Sequence, residues 1–277
     1  MQGIRNWLVE RPLVLLAITV ALYAVILSLP GLLSSSSFGR DIGRTAHQID
    51  LGQLPLELLL AASIVVLVVY LGWRRETRLT TRPAWGGLWY LLPPLLIMAA
   101  LLSVGIVHGI TKNVDLNALF GARFYFGLLP MVLLVALFEE LLFRGLVFRC
   151  VELKSGPVTA LFVSSALFGL MHYVNWVTGQ PFAITSTQVL HAGVAGILYG
   201  AIMLRTGSIW PSVLLHGFWD LVVALNGTLI GVRDPSDPAT AGSHSWMATA
   251  FNLMIENFEA VFGLIILAIW WRWHRRR

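Results

Sequence analysis

The 277-residue chain is expected to fold as an all-α, polytopic membrane helix bundle of about eight transmembrane helices, forming a single membrane domain over 1–277. Three observations carry this expectation. Hydrophobic residues make up 57% of the chain, and charged residues only 12%, about half the share usual in soluble domains. Mean hydropathy is +0.77. Apolar runs of about 20 residues, the length that crosses a hydrocarbon core, recur along the whole chain. The one cysteine, Cys150, excludes an intrachain disulfide framework and a cysteine-rich metal site.

The first run, 12–33, follows only Arg5 and Arg11. It has the length of a span, whereas the core of a cleaved signal is about 7–15 residues, so it is read as a helix that stays. The second, 55–73, ends in "WRRETRLTTR", and the third, 87–110, opens after it. The fourth, 124–148, carries paired carboxylates inside an apolar stretch. The fifth, 157–176, starts on a proline, and the sixth and seventh are 187–204 and 209–230. The eighth, 248–271, leads into the tail "WRWHRRR". The longest links, 34–54 and 231–247, are Ser/Gly-rich or Asp/Pro-rich, and no soluble domain is visible.

Lysine and arginine set the orientation. Arg74, Arg75, Arg78 and Arg82 follow the second span, Arg149 and Lys154 the fourth, Arg205 the sixth and four arginines the eighth. The link 177–187 has none, and 231–247 has only Arg233. An even span count with both termini cytoplasmic puts the basic segments on one side. The net charge of +5 is therefore read as loop anchoring, and no nucleic-acid partner is expected.

The stretch "LFEELLFRGLVFR", 137–149, poses the functional question. Ionisable residues inside a membrane are costly and mark function by default. Glu140 and Arg144 are four apart on one helix face and can pair, which lowers the cost of burying either. Glu139 is rotated about 100° from Glu140 and is free for chemistry. "LFGLMHYVNW" places Phe168 and His172 four apart, and "LLHGFWDLVV" does the same for His216 and Asp220. His191 and His108 lack a carboxylate at helical spacing and are weaker candidates.

A carboxylate and two imidazoles suit peptide hydrolysis: a general base on water, aided by an imidazole, with a second polar pair on the oxyanion. The same set could hold Zn²⁺. A membrane protein that binds or transports a ligand or proton also uses buried Glu, Asp and His. There is no H-E-x-x-H, no G-x-S-G and no G-x-G-D.

Three motifs in order, "EELLFR" at 139–144, "FGLMH" at 168–172 and "HGFWD" at 216–220, resemble those of the CAAX-protease and bacteriocin-processing (Abi) family. The resemblance covers about 120–225, so the catalytic core helices are placed at about 124–230. It implies a glutamate-dependent intramembrane endopeptidase acting on a membrane-associated peptide or protein. Glu139 and His172 would activate water, His216 and Asp220 would stabilise the oxyanion, and Glu140, Arg144 and Phe168 would support the site. Zinc, held by Glu139, His172 and His216, is one expectation of the family and a metal-free reaction the other. The alternative is a non-proteolytic member of the same scaffold. The bacterial inner membrane is the expected location. One departure matters: the prenyl-protein branch has Asn where this chain has Asp220. Asn donates a hydrogen bond when neutral, whereas Asp donates only when protonated and otherwise orients His216 or binds a cation.

With these boundaries, Glu139 lies about 15 Å from its helix end, His172 about 22 Å and His216 about 10 Å. A single site requires tilted helices or different boundaries.

Overall fold

The computed structural model describes residues 2–33, 54–230 and 246–275; side chains at 30–33 and 246–256 are outside the description. Among the described residues the chain is helical with no strand. The helices are α1 (Gln2–Glu10), α2 (Pro12–Leu33), α3 (Leu54–Leu71), α4 (Leu92–Thr111), α5 (Leu129–Glu140), α6 (Phe148–Met171), α7 (Phe182–Thr206), α8 (Trp210–Ile230) and α9 (Trp246–His274). Two π-helical turns, Phe124–Leu128 and Leu141–Val147, flank α5. The links 34–53 and 231–245 lie outside the described residues.

Six helical stretches among the described residues are long and apolar enough to cross a membrane. The fourth, 116–177, is 62 residues long. Straight, it would reach about 93 Å at 1.5 Å per residue, three times the hydrocarbon core. It reverses at Gly156, whose φ of 79° and ψ of 169° are open to glycine and essentially to nothing else. The rings of Phe143 and Phe168, 13 residues before and 12 after that turn, meet at 5.3 Å. The stretch thus supplies two of the expected passes. The expected eighth pass falls on α9, and the total of about eight is an approximate description of the bundle.

Burial separates the inner helices from the outer ones. The first three spans bury 17–28% of their residues, whereas 116–177 and α7 bury 50% and 56%. Lipid can cover the rest, because apolar side chains gain nothing by avoiding it. Residues 141–147 are buried on every side. An outer helix is attached by Tyr23, whose hydroxyl meets Ser63 Oγ at 2.8 Å and whose ring stands edge-on to Phe138 at 5.0 Å. α7 sits between α6 and α9: a Cβ on Gly263 of α9 would come within 3.0 Å of Leu198 Cα.

The basic segments gather at one end. The segment 73–84 caps the turn between α7 and α8. The Ala84 amide donates to Thr206 O (2.8 Å), Thr81 Oγ1 to Gly207 O (2.6 Å) and Trp210 Nε1 to Leu79 O (2.8 Å). Arg78 pairs with Glu152 at 3.0 Å, and Arg205 lies over the rings of Tyr90 and Trp273.

This cap also explains how the motif residues reach one depth. A Cβ on Gly145 would lie 3.2 Å from Thr77 Cβ, and the next residue, Arg78, accepts the Ile209 amide at 3.4 Å. Gly145 and Ile209 are therefore level. Glu139 is six residues beyond the first and His216 seven beyond the second, about 9 and 10 Å. The helix does not end at Arg149, as the sequence boundaries place it. The chain stays helical toward Gly156, and from that turn Glu139 and His172 are 17 and 16 residues away, about 25 and 24 Å.

Candidate active site

The last turn of α5 carries Glu139 and Glu140, and the π-helical turn that follows carries Arg144. A π turn wedges extra backbone into a helix and is frequent at functional sites. Glu140 is fully buried, and its Oε1 is 3.0 Å from both Arg144 NH1 and His216 Nδ1. Arg144 is fully buried too. It forms the ion pair without an aligned N–H···O bond, and its faces rest on Phe168 (4.2 Å to the ring centre) and Tyr199 (5.5 Å). Gly196 makes room for it: a Cβ there would lie 2.9 Å from Arg144 NH2 and 3.0 Å from Ser165 Cα.

His216 is the junction. With Nδ1 on Glu140, Nε2 faces two further carboxylates, Glu139 Oε2 and Asp220 Oδ2, each at 3.5 Å. Tyr199 stacks on the imidazole at 5.0 Å, and Phe168 stands edge-on to it at 5.6 Å. Phe168 also stands edge-on to His172 at 5.1 Å. The His172 Nδ1 bonds the Phe168 carbonyl at 2.9 Å, which leaves Nε2 as the nitrogen open to a ligand.

The seven motif residues thus form one cluster. The ion-pair contact of Glu139 is with His216, and His172 joins through Phe168. A cavity of about 510 Å³ meets the cluster, with Phe168, His172, His216 and Asp220 on its wall. Glu139 is partly exposed beside it, whereas Glu140 and Arg144 lie behind.

The same wall includes three residues that the motif pattern missed or ranked low: His191, Tyr199 and Glu259. Gln188, His191 or Ala192, Ala195 and Tyr199 recur every three to four residues, which is one face of α7. That spacing was the available signal. Glu259 is a buried carboxylate on α9. His108, the other weak candidate, is not on this cavity.

Residues 121–222 match the family model described as type II CAAX prenyl endopeptidase Rce1-like. This segment belongs to the CAAX-protease family. It contains all seven motif residues and ends within α8, leaving α1–α4 and α9 outside the match. Neither the curated proteins nor the solved structures contain a match to the chain. The CAAX-protease segment lies in a chain with the helices of an integral membrane protein.

The family raises the question of a metal. Among the described residues, no three His, Cys, Asp or Glu side chains are grouped to hold one. The expected set of Glu139, His172 and His216 is divided: each histidine commits Nδ1 elsewhere, and only His216 meets Glu139.

Proposed function

We propose that the protein is an intramembrane endopeptidase that hydrolyses a peptide bond in a membrane-associated polypeptide, using water activated by Glu139. The observation that carries this reading is His216 Nε2, on the wall of a cavity between membrane helices, 3.5 Å from both Glu139 and Asp220. Glu139 takes a proton from water as the water oxygen attacks the scissile carbonyl carbon. The carbonyl π electrons move to oxygen, and the Nε2–H of His216 is the donor for that oxyanion, while the bare Nε2 of His172, whose Nδ1–H is held by the Phe168 carbonyl, assists Glu139 in activating the water. Its collapse breaks the C–N bond, and the proton on Glu139 passes to the leaving amine. Glu140 holds the His216 ring so that Nε2 faces the reaction, and Arg144 balances Glu140. Asp220 orients His216 from the other side. The CAAX-protease match supports the reaction class, and the bacterial inner membrane, with both termini cytoplasmic, is the proposed setting.

The test compares membranes of cells expressing wild-type or Glu139→Gln protein by quantitative peptide mass spectrometry. Cleavage products that appear with wild type and vanish with the variant are expected. Identical peptide profiles, with both proteins folded at equal level, would favour a binding or transport role.

A further inference from the structure

The cavity is built from one end of the bundle only. Four helices contribute to it, α9 through Glu259 alone, and the other three become more exposed in the same direction. On α7, Tyr199 and Ala195 are buried, His191 and Gln188 are half-buried and Thr187 is exposed. These residues run away from Arg205, and Tyr199 to Thr187 spans 12 residues, about 18 Å. On α8, His216 is buried, Asp220 is half-buried and Val223 is exposed, again with distance from the Gly207 turn. On α6, Phe168 is buried and His172 half-buried, with distance from Gly156. The floor is at Tyr199 and His216, and the mouth is at Thr187 and Val223. None of the basic segments, 73–84, 149–157 or 205–210, reaches the wall.

Charge identifies the two ends. Arg74, Arg78, Lys154, Arg205 and Arg272 lie at the closed end, whereas the described cations at the far end are Lys112 and Arg123. Basic loops are retained in the cytoplasm. The closed end is therefore cytoplasmic, and the mouth faces the opposite leaflet. Val223, 53% exposed, gives the mouth an apolar side chain, as suits a segment arriving from lipid.

We infer that the cavity receives its polypeptide from the end opposite the basic segments. The substrate is then a membrane-anchored polypeptide whose scissile segment lies at the non-cytoplasmic face. This rests on the proteolytic reading for the word substrate, but the direction of access is measured without it.

The test uses single cysteines and a membrane-impermeant maleimide on intact cells. Cys150 is fully buried, so wild type serves as the unlabelled background. Thr187→Cys and Gln188→Cys report the mouth, and Ser155→Cys, at the exposed Gly156 turn, reports the closed end. Two mouth variants are used because Gln188 accepts a bond from Asn175 (2.9 Å) and its loss can disturb the fold. The mouth cysteines are expected to label in intact cells, and Ser155→Cys only after permeabilisation. Mouth cysteines that label only after permeabilisation, or together with Ser155→Cys from one side, overturn the inference. In a second arm, maleimide added to intact Thr187→Cys cells should remove the Glu139-dependent cleavage products. Fully labelled protein that still yields them shows another entrance and overturns the inference. If no Glu139-dependent products exist at all, the proteolytic reading fails, and labelling alone still decides the direction.

Discussion

At the scale of single residues, the two adjacent glutamates have different surroundings and should fail differently. Glu140 is fully buried and shares one oxygen between Arg144 and His216, whereas Glu139 is partly exposed and faces His216 Nε2. Removing one partner of a buried pair costs about 3–5 kcal/mol, because the other charge is left uncompensated. Glu140→Gln and Arg144→Ala are therefore expected to lower the melting temperature in detergent, measured by differential scanning fluorimetry. Glu139→Gln should melt near wild type yet make no product. An active Glu139→Gln protein would remove Glu139 as the base. The exchange Glu140→Arg with Arg144→Glu separates two roles. It can rebuild an ion pair and recover part of the stability, but it places a cation at His216 Nδ1, so activity should stay lost. Recovery of both would mean that orientation of His216 by Glu140 is dispensable. Gly196→Ala acts from outside the motifs. Its Cβ would press on Arg144 and on the Ser165 backbone, and overpacking of this kind costs about 1–3 kcal/mol. A wild-type melting temperature for Gly196→Ala would show that the helix pair can relax.

At the scale of elements, spacing made most of the site legible and boundaries did not. The i,i+4 pairs Glu140–Arg144 and His216–Asp220 follow from helical geometry, and both distances are within ion-pair range. The convergence of three helices was not readable, because no periodicity encodes the depth of a turn. Arg149 looked like a helix end since charge usually marks one. In fact Arg149 pairs with Glu152, three residues on, and the helix continues. Nor did composition reveal the π turns: 141–147 is apolar apart from Arg144 and reads as ordinary helix. The true reversal depends on one backbone conformation. Gly156 and Gly207 both have positive φ, 79° and 72°, and a Cβ meets nothing at either. Their ψ values differ, 169° against 14°, so only Gly207 sits in the left-handed helical region that asparagine also adopts. Gly207→Asn is thus expected to be nearly neutral. Gly156→Asn should cost about 1–3 kcal/mol, as non-glycine residues do in that region. Equal thermal shifts for the two variants would count against the turn at Gly156 as the point of reversal.

At the scale of the whole molecule, the same arginines that cap the bundle are expected to decide how it sits in the membrane. Arg78 pairs with Glu152, Arg205 is clamped between Tyr90 and Trp273, and Trp210 bonds the Leu79 carbonyl, so segments far apart in sequence form one basic face. A face held together in this way cannot be divided between two compartments. Each hairpin that returns to it must then cross the membrane twice, and Arg and Lys bias the whole face toward the cytoplasm. Reporter fusions after residues 80, 153 and 277 are expected to report cytoplasm. Fusions after residues 115 and 179, in the links that follow α4 and α6, are expected to report the opposite side. A periplasmic signal from any of the first three would break the topology. It would also move the cavity mouth, since Thr187 and Val223 are at the far ends of α7 and α8 from that face. Reversal of all five signals together would preserve the bundle and turn it over, showing that its orientation is set by something other than its arginines.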